Sequence, residues 1–210
     1  MNRTYKELAA SLRSVHFLNL VGSIPNCTRW LHDGAIGPAP PPIKRWIIDS
    51  YLRRYRLGAF VETGTHSGDT LAYVARRKNL SCISVELSPG FYSDAVQRFS
   101  CWGNVQLVHG DSAEVLPEIV RQLREPALFW LDGHYSGGVT ARGAADTPIS
   151  AEIKTVLASP IDGHVILVDD ARLFDGTHDY PVLDELILAV RAEGRFNVAV
   201  SADIIRFTPR

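Results

Sequence analysis

The chain has 210 residues, of which 46% are hydrophobic and 21% charged, and its formal net charge at pH 7 is −1. This length suits one domain with a short appendage, and the apolar content excludes wholesale disorder. The near-neutral charge excludes a nucleic-acid-binding protein that depends on bulk positive charge, so we expect no nucleic-acid partner.

The cysteines and the N-terminal residues bear on cellular location. Cys27, Cys82 and Cys101 have neither the spacing of a zinc site nor that of a disulfide framework, which fits a reducing compartment. No apolar run reaches the roughly 18 residues of a membrane span. Charged residues interrupt the first apolar pattern, unlike a secretory signal. We therefore expect a cytoplasmic protein without a membrane span.

Residues 1–57 are predicted to form a helical appendage. Apolar residues at helical spacing predict an amphipathic helix that ends near Gly22, and the prolines of residues 37–42 predict a stiff linker. These N-terminal helices would either cover a pocket or form a homodimer interface.

A second helix is predicted after the linker. We assign Ile43, Trp46, Ile47, Tyr51 and Tyr55 to its apolar face. The other faces are basic and include Lys44 and Arg45. We interpret them as a solvated surface, with an anion or acidic-partner site as the alternative.

From residue 58 to residue 210, strands and helices alternate. The helices are predicted over residues 71–77, 91–99, 113–123, 150–157 and 183–191. The strands are predicted over residues 59–63, 81–86, 105–108, 127–132, 165–168, 196–200 and 204–207. This order predicts an α/β fold with a doubly wound parallel sheet and a C-terminal antiparallel hairpin.

Ligands of such sheets bind beyond the carboxyl ends of the strands, so the residues that end each strand are the first candidates for a binding site. The first strand is followed by Glu62, Gly64, Thr65, His66, Ser67 and Gly68. The glycines permit a tight turn, but both the dinucleotide fingerprint and the Walker loop are missing. Glu62 would repel a pyrophosphate and would suit a cationic or zwitterionic ligand.

Acidic residues follow the next two strands. Glu86 lies about 20 residues beyond the glycine loop, where it can accept hydrogen bonds from a ribose diol, although a surface or capping role is the alternative. Asp111 and Ser112 can bracket an adenine edge, cap the next helix, or do both.

These motifs, in this order and with Asp132 after the fourth strand, resemble the class I S-adenosylmethionine (SAM)-dependent methyltransferases. The resemblance implies a Rossmann-like, seven-stranded sheet. It implies that residues 62–68 hold the methionine part of SAM, that Glu86 holds the ribose, and that Asp111 and Ser112 hold the adenine. Asp132 would also contact the cofactor.

Three carboxylates follow the fourth and fifth strands, which are expected to be neighbours. Asp132, Asp169 and Asp170 would repel one another unless a cation lay between them. Oxygen ligands favour Mg²⁺, or Ca²⁺ and Mn²⁺, over zinc. The alternatives are that Asp170 caps a helix and that Asp132 only orients the cofactor.

The carboxylates resemble the metal-dependent sugar O-methyltransferases of the macrocin and novobiocin type. Those enzymes have Asp-Gly-Asp after the fourth strand, whereas here the third position is His134. His134 is a competent base near neutral pH, which makes it and Asp132 our candidate catalytic residues.

Two loops are expected to wall the substrate pocket. The glycine-rich segment 135–147 is long enough to act as a lid, and its Tyr135 and Arg142 are candidate substrate-binding residues. Arg172, after the fifth strand, is a third candidate. An exposed position without function is the alternative for Arg142.

The sequence thus predicts a SAM-dependent O-methyltransferase, assisted by a divalent metal, that acts on a hydroxyl of a small molecule or sugar. The alternatives are a metal-independent methyltransferase and a cofactor-binding scaffold or partner protein that has lost catalysis. A nicotinamide dehydrogenase is less favoured, because the phosphate fingerprint is missing.

Overall fold

The computed structural model describes residues 25–133 and 147–210. The N-terminal helix predicted before Gly22 lies outside these ranges. The helices are α1 (residues 25–32), α2 (Pro41–Arg54), α3 (Asp69–Val74), α4 (Pro89–Phe99), α5 (Ser112–Gln122), α6 (Ile149–Leu157) and α7 (Leu183–Ala192). The strands are β1 (Ala59–Thr63), β2 (Ser81–Glu86), β3 (Val105–His109), β4 (Ala127–Leu131), β5 (Val165–Val168), β6 (Phe196–Ser201) and β7 (Ile204–Pro209).

The seven strands form one sheet in the order β3-β2-β1-β4-β5-β7-β6. Strands β1 to β5 pair in parallel, β7 pairs antiparallel with β5, and β6 pairs antiparallel with β7 in the C-terminal hairpin. This is a Rossmann-like, doubly wound sheet with a C-terminal antiparallel hairpin, so the predicted fold class is confirmed. Strand order changes direction between β1 and β4, which makes their carboxyl ends the expected binding edge.

Both faces of the sheet are covered, which explains why the central strands are apolar throughout. Val61, Phe129 and Ile166 pack on one face against α5 and α6, whereas Phe60 and Leu128 pack on the other face against α2 and α3. Every residue of β1, β4 and β5 is buried. Such strands lose the alternation of apolar and polar residues found in half-exposed sheets.

Most of the predicted apolar face of α2 packs on the core. Ile47 is buried together with Ile48 and Leu52, and the partly buried residues packed against this core include Ile43, Tyr51 and Tyr55. Trp46 is the exception, because it is 63% exposed. The helix also begins inside the predicted linker, with Pro41 in its first turn, where a missing N–H is tolerated.

A buried histidine joins β4 to the loop before β5. His164 Nδ1 accepts the Ala127 N–H at 3.0 Å, and its Nε2 lies 2.9 Å from the Ser159 hydroxyl. Burial, reinforced by Arg195, lowers the pKa of His164 to about 4. Nδ1 is therefore held as an unprotonated acceptor, which gives His164 a structural role. Among the described residues, no helix is long and apolar enough to cross a membrane.

We expect acid to destabilise the protein through His164. Its pKa is about 4 in the folded protein and 6.5 for an unperturbed histidine, so the unfolded state binds more protons between these values. As the pH is lowered through this window, the free energy of unfolding should fall by up to ~1.4 kcal/mol per pH unit from this group. Urea denaturation of wild type and His164→Asn over this pH range measures the effect. Asn is chosen because it retains an acceptor for the Ala127 N–H. Parallel slopes for the two proteins would contradict the assignment.

Candidate active site

The loop after β1 packs closely on the loop after β4. Gly64 has φ +85°, and a Cβ added to it would lie 2.7 Å from the carbonyl oxygen of Asp132. The N–H groups of Gly64 and Thr65 both donate to the Val85 carbonyl, which fixes the loop on β2. Only glycine combines this backbone conformation with so close an approach. The predicted loop is therefore a tight turn at the binding edge.

A chain of hydroxyl groups lies beneath this loop. The Thr65 and Ser84 hydroxyls are 2.6 Å apart, and Ser84 donates to Glu62 Oε2 at 2.8 Å. Burial raises the pKa of Glu62 to about 8 despite the bond from Ser84. Glu62 lies below the mouth of the site, on the face of the sheet that α2 covers, so a direct role in ligand binding stays a prediction.

Glu86 fixes the far end of the loop. Its Oε2 accepts the His66 N–H at 2.7 Å, and its Oε1 accepts the Ser88 N–H at 2.8 Å. The His66 ring lies 4.5 Å from that of Phe91. Ser67 presents its carbonyl oxygen to the Arg98 guanidinium, and Gly68 adopts φ +71° as α3 begins. Each Glu86 oxygen retains a lone pair with which to accept a ligand hydroxyl.

Asp111 and Ser112 lie at the start of α5. Asp111 Oδ1 accepts the Ala113 N–H at 2.9 Å and caps the helix, which is one of the two roles predicted for it. Ser112 is buried in the first turn. Their role in adenine recognition stays a prediction.

A buried acid that the sequence analysis missed lies beside these residues. Glu152 of α6 is fully buried, and burial raises its pKa to about 7 against the opposing effect of the Ser112 and Thr63 hydroxyls. The signal was available, since Glu152 occupies the apolar face of its helix, three residues after Ile149 and four before Val156.

Asp132, Asp169 and Asp170, hereafter the carboxylate cluster, come from the ends of β4 and β5. These strands pair in parallel, and the Asp169 N–H donates to the Leu131 carbonyl at 3.1 Å. Burial and the charge of Asp169 raise the pKa of Asp132 well above its ordinary value. Burial also raises the pKa of Asp169, although Lys44 opposes it. Asp132, Asp169 and Asp170 therefore influence one another electrostatically at this edge of the sheet.

A lysine of the chain lies at this cluster. Lys44 Nζ pairs directly with Asp169 Oδ2 and lies 3.9 Å from Asp170 Oδ1. Burial lowers the pKa of Lys44, but Asp169 and the other acids outweigh it and hold that pKa above its ordinary value. The prediction that Lys44 lies on a solvated face is wrong, since only 20% of its side chain is exposed. Lys44 precedes the buried Ile47 and Ile48 by three and four residues and so shares their face.

Arg172 is the second cation beside the carboxylate cluster. Its Nη1 donates to Asp170 Oδ1 at 2.7 Å and also pairs with Asp203 in the β6–β7 turn. Asp170 has φ +59°, so its backbone is strained where it meets this pair. The side chain of Arg172 is 48% exposed, and its proposed contact with substrate stays a prediction. His134, Tyr135 and Arg142 lie outside the described residues.

The carboxylate cluster in this arrangement does not fit a divalent metal. Within residues 25–133 and 147–210, no group of three His, Cys, Asp or Glu side chains is arranged to hold a metal ion. Lys44 Nζ contacts the Asp169 oxygen that a cation would need. An ammonium in this position and a divalent cation would repel each other strongly.

Solved structures share the fold at low sequence identity. The O-methyltransferase TomG of Streptomyces achromogenes, which is involved in tomaymycin synthesis and was solved with SAM, has a TM-score of 0.60 and 17% identity over 81% of each chain. An O-methyltransferase of Bacillus cereus, solved with S-adenosylhomocysteine (SAH), has a TM-score of 0.60 and 16% identity. That match covers 95% of this chain and 90% of the other.

A third similar structure is the SAH-bound methyltransferase PaMTH1 of Podospora anserina. Its TM-score is 0.57 at 17% identity, over 81% of this chain and 82% of that one. No protein-family model matches the sequence, and no curated protein matches it. At such identities the likeness establishes the fold, and the activity has to be argued from the site.

We expect Gly64→Ala to destabilise the protein by about 2 kcal/mol or more, because alanine is strained at this φ and its methyl group would meet the Asp132 carbonyl. Gly103→Ala is the matched control. A Cβ there meets nothing within 4 Å. Urea denaturation compares the two. Equal stability of both variants would show that the loop relaxes without cost.

Proposed function

We propose that the protein is a SAM-dependent methyltransferase that transfers a methyl group to a hydroxyl of a small molecule or sugar. The observation that carries this proposal is the junction of the Glu62–Gly68 loop with the loop after β4, flanked by Glu86 and Asp111. The order of these groups along the binding edge supports a nucleoside ligand. The fold shared with the O-methyltransferases described above supports SAM as that ligand.

The chemistry of the side chains at this edge fits SAM better than a dinucleotide. Glu86, Asp111 and Asp132 present carboxyl groups, which favour a sulfonium and an ammonium and would repel a pyrophosphate. Glu86 has free lone pairs for a ribose diol. We assign the ribose to Glu86, the adenine to Asp111 and Ser112, and the methionine part to Gly64, Thr65, His66, Ser67 and Gly68, with Glu62 beneath.

Bound SAM would supply an electrophilic methyl group on its sulfur. The residues around it have three tasks, which are to align the acceptor oxygen, exclude water and receive the hydroxyl proton. We assign the proton to His134 and cofactor orientation to Asp132, both as proposals. Tyr135, Arg142 and Arg172 are the proposed substrate contacts.

The pairing of Lys44 with Asp169 favours the metal-independent form of this reaction over Mg²⁺ assistance. We therefore route no step through a metal. A sugar acceptor of the macrocin and novobiocin type, a cytoplasmic location and a homodimer through the N-terminal helices stay predictions.

We expect calorimetric titration to give micromolar affinity for both SAM and SAH, with and without Mg²⁺, and no binding of NAD. Affinity should be independent of Mg²⁺, because the proposed cofactor contacts come from the chain. Absence of SAM and SAH binding in both conditions would remove the methyltransferase proposal. NAD binding would favour the dehydrogenase alternative.

Glu86→Gln should weaken SAH binding about tenfold, because a charged acceptor of the ribose diol is replaced by a neutral one. Glu185→Gln, an exposed acid in the first turn of α7, makes the same chemical change far from the binding edge. Calorimetry gives the affinities, and circular dichroism verifies that both variants fold. Unchanged affinity in a folded Glu86→Gln protein would contradict the ribose assignment.

A further inference from the structure

Lys44 reaches the carboxylate cluster from helix α2, which covers one face of the sheet. It lies in the first turn of α2, and its N–H donates to the Pro40 carbonyl at 3.1 Å. Ile47 and Ile48 bury the same face of the helix against the sheet. The backbone hydrogen bond of this first turn and the packing of the apolar core therefore fix the position of Lys44. Only 20% of its side chain is exposed.

The charges around Lys44 come from three elements. Asp132 follows β4, Asp169 and Asp170 follow β5, and Arg172 in the short 3₁₀ turn Ala171–Leu173 donates to Asp170 Oδ1. Lys44 is the cation on the inner side, at Asp169, whose side chain is 2% exposed. Each of the two neighbouring carboxylates from β5 thus has a cationic partner supplied by the chain.

A divalent metal would compete with Lys44 for the same oxygen atoms. Mg²⁺ binds carboxylate oxygens at about 2.1 Å and tolerates little distortion of its octahedral geometry. An ammonium already bonded to Asp169 would lie within a few ångströms of such an ion. Coulomb repulsion between the two is strong where water is largely excluded.

We propose that Lys44 is the resident cation of the carboxylate cluster and takes the place of a divalent metal there. Lys44 is in this view a positioning residue. It holds Asp169 and Asp170 at the end of β5, and it offers N–H donors toward the edge where the proposed methyl acceptor would bind. Only this last step rests on the proposed function, since the replacement of a metal by Lys44 is a property of the folded chain.

Manganese binding, followed by the loss of the free Mn²⁺ paramagnetic resonance signal, tests the proposal without any substrate. The wild-type protein should leave the signal unchanged up to about 1 mM Mn²⁺, within the range of weak cation sites. Lys44→Met keeps the apolar stem and removes the charge, so we expect it to bind Mn²⁺ at least about tenfold more tightly than wild type. The double variant Lys44→Met/Asp169→Asn should lose this gain in Mn²⁺ affinity.

Two controls separate the local effect from a change in net charge. Lys154→Met removes the charge of an exposed lysine on α6 and should behave as wild type. Lys44→Arg keeps a cation beside Asp169 and should show no gain in Mn²⁺ affinity. Circular dichroism establishes folding, and if Lys44→Met does not fold, the wild-type titration decides alone.

Tight Mn²⁺ binding by wild type, or no gain in folded Lys44→Met, would overturn the proposal. SAH titration of the same samples keeps the two hypotheses apart. SAH binding without a manganese gain would leave the methyltransferase proposal standing and overturn the role of Lys44. A manganese gain without SAH binding would do the reverse.

Discussion

Parallel pairing of β1 with β2 on one side and β4 on the other is the constraint on which the site depends. It aligns Thr63 with Val85 and with Leu131, so the carboxyl ends of these strands meet at one edge. Five acids lie within or directly after the strands at this edge: Glu62, Glu86, Asp132, Asp169 and Asp170. The fold therefore has to stabilise several carboxyl groups in a small volume, and much of the surrounding structure does so.

Hydrogen bonds stabilise two of these acids, and ion pairs stabilise two others. Backbone N–H groups of two loops bind Glu86, and a serine hydroxyl binds Glu62, whose pKa burial raises to about 8. Lys44 and Arg172 pair with Asp169 and Asp170. Hydrogen bonds and ion pairs offset the cost of burying such groups only when the geometry is good.

Helix α2 links this electrostatic balance to the hydrophobic core. Its aliphatic face packs on the sheet, and the residue one turn earlier on that face is Lys44. Packing thus carries a positive charge to the edge where the acids collect. The proposed division of the site follows from this geometry, with the nucleoside over β1 to β3 and the acceptor over β4, β5 and α2.

The alternation of strands and helices, the antiparallel hairpin and the polar residues that end each strand could all be predicted from the sequence. Local periodicity and strand-end polarity carry that information, and they place Glu86, Asp111 and the carboxylate cluster at the binding edge. The groups that neutralise the cluster are visible only in the folded chain. Lys44 and Asp169 are 125 positions apart, and a lysine between Ile43 and Arg45 has the same local sequence pattern whether it is solvated or buried. The rotation of α2 on the sheet separates these cases, and that rotation depends on packing against Phe60 and Leu128 rather than on the helix alone.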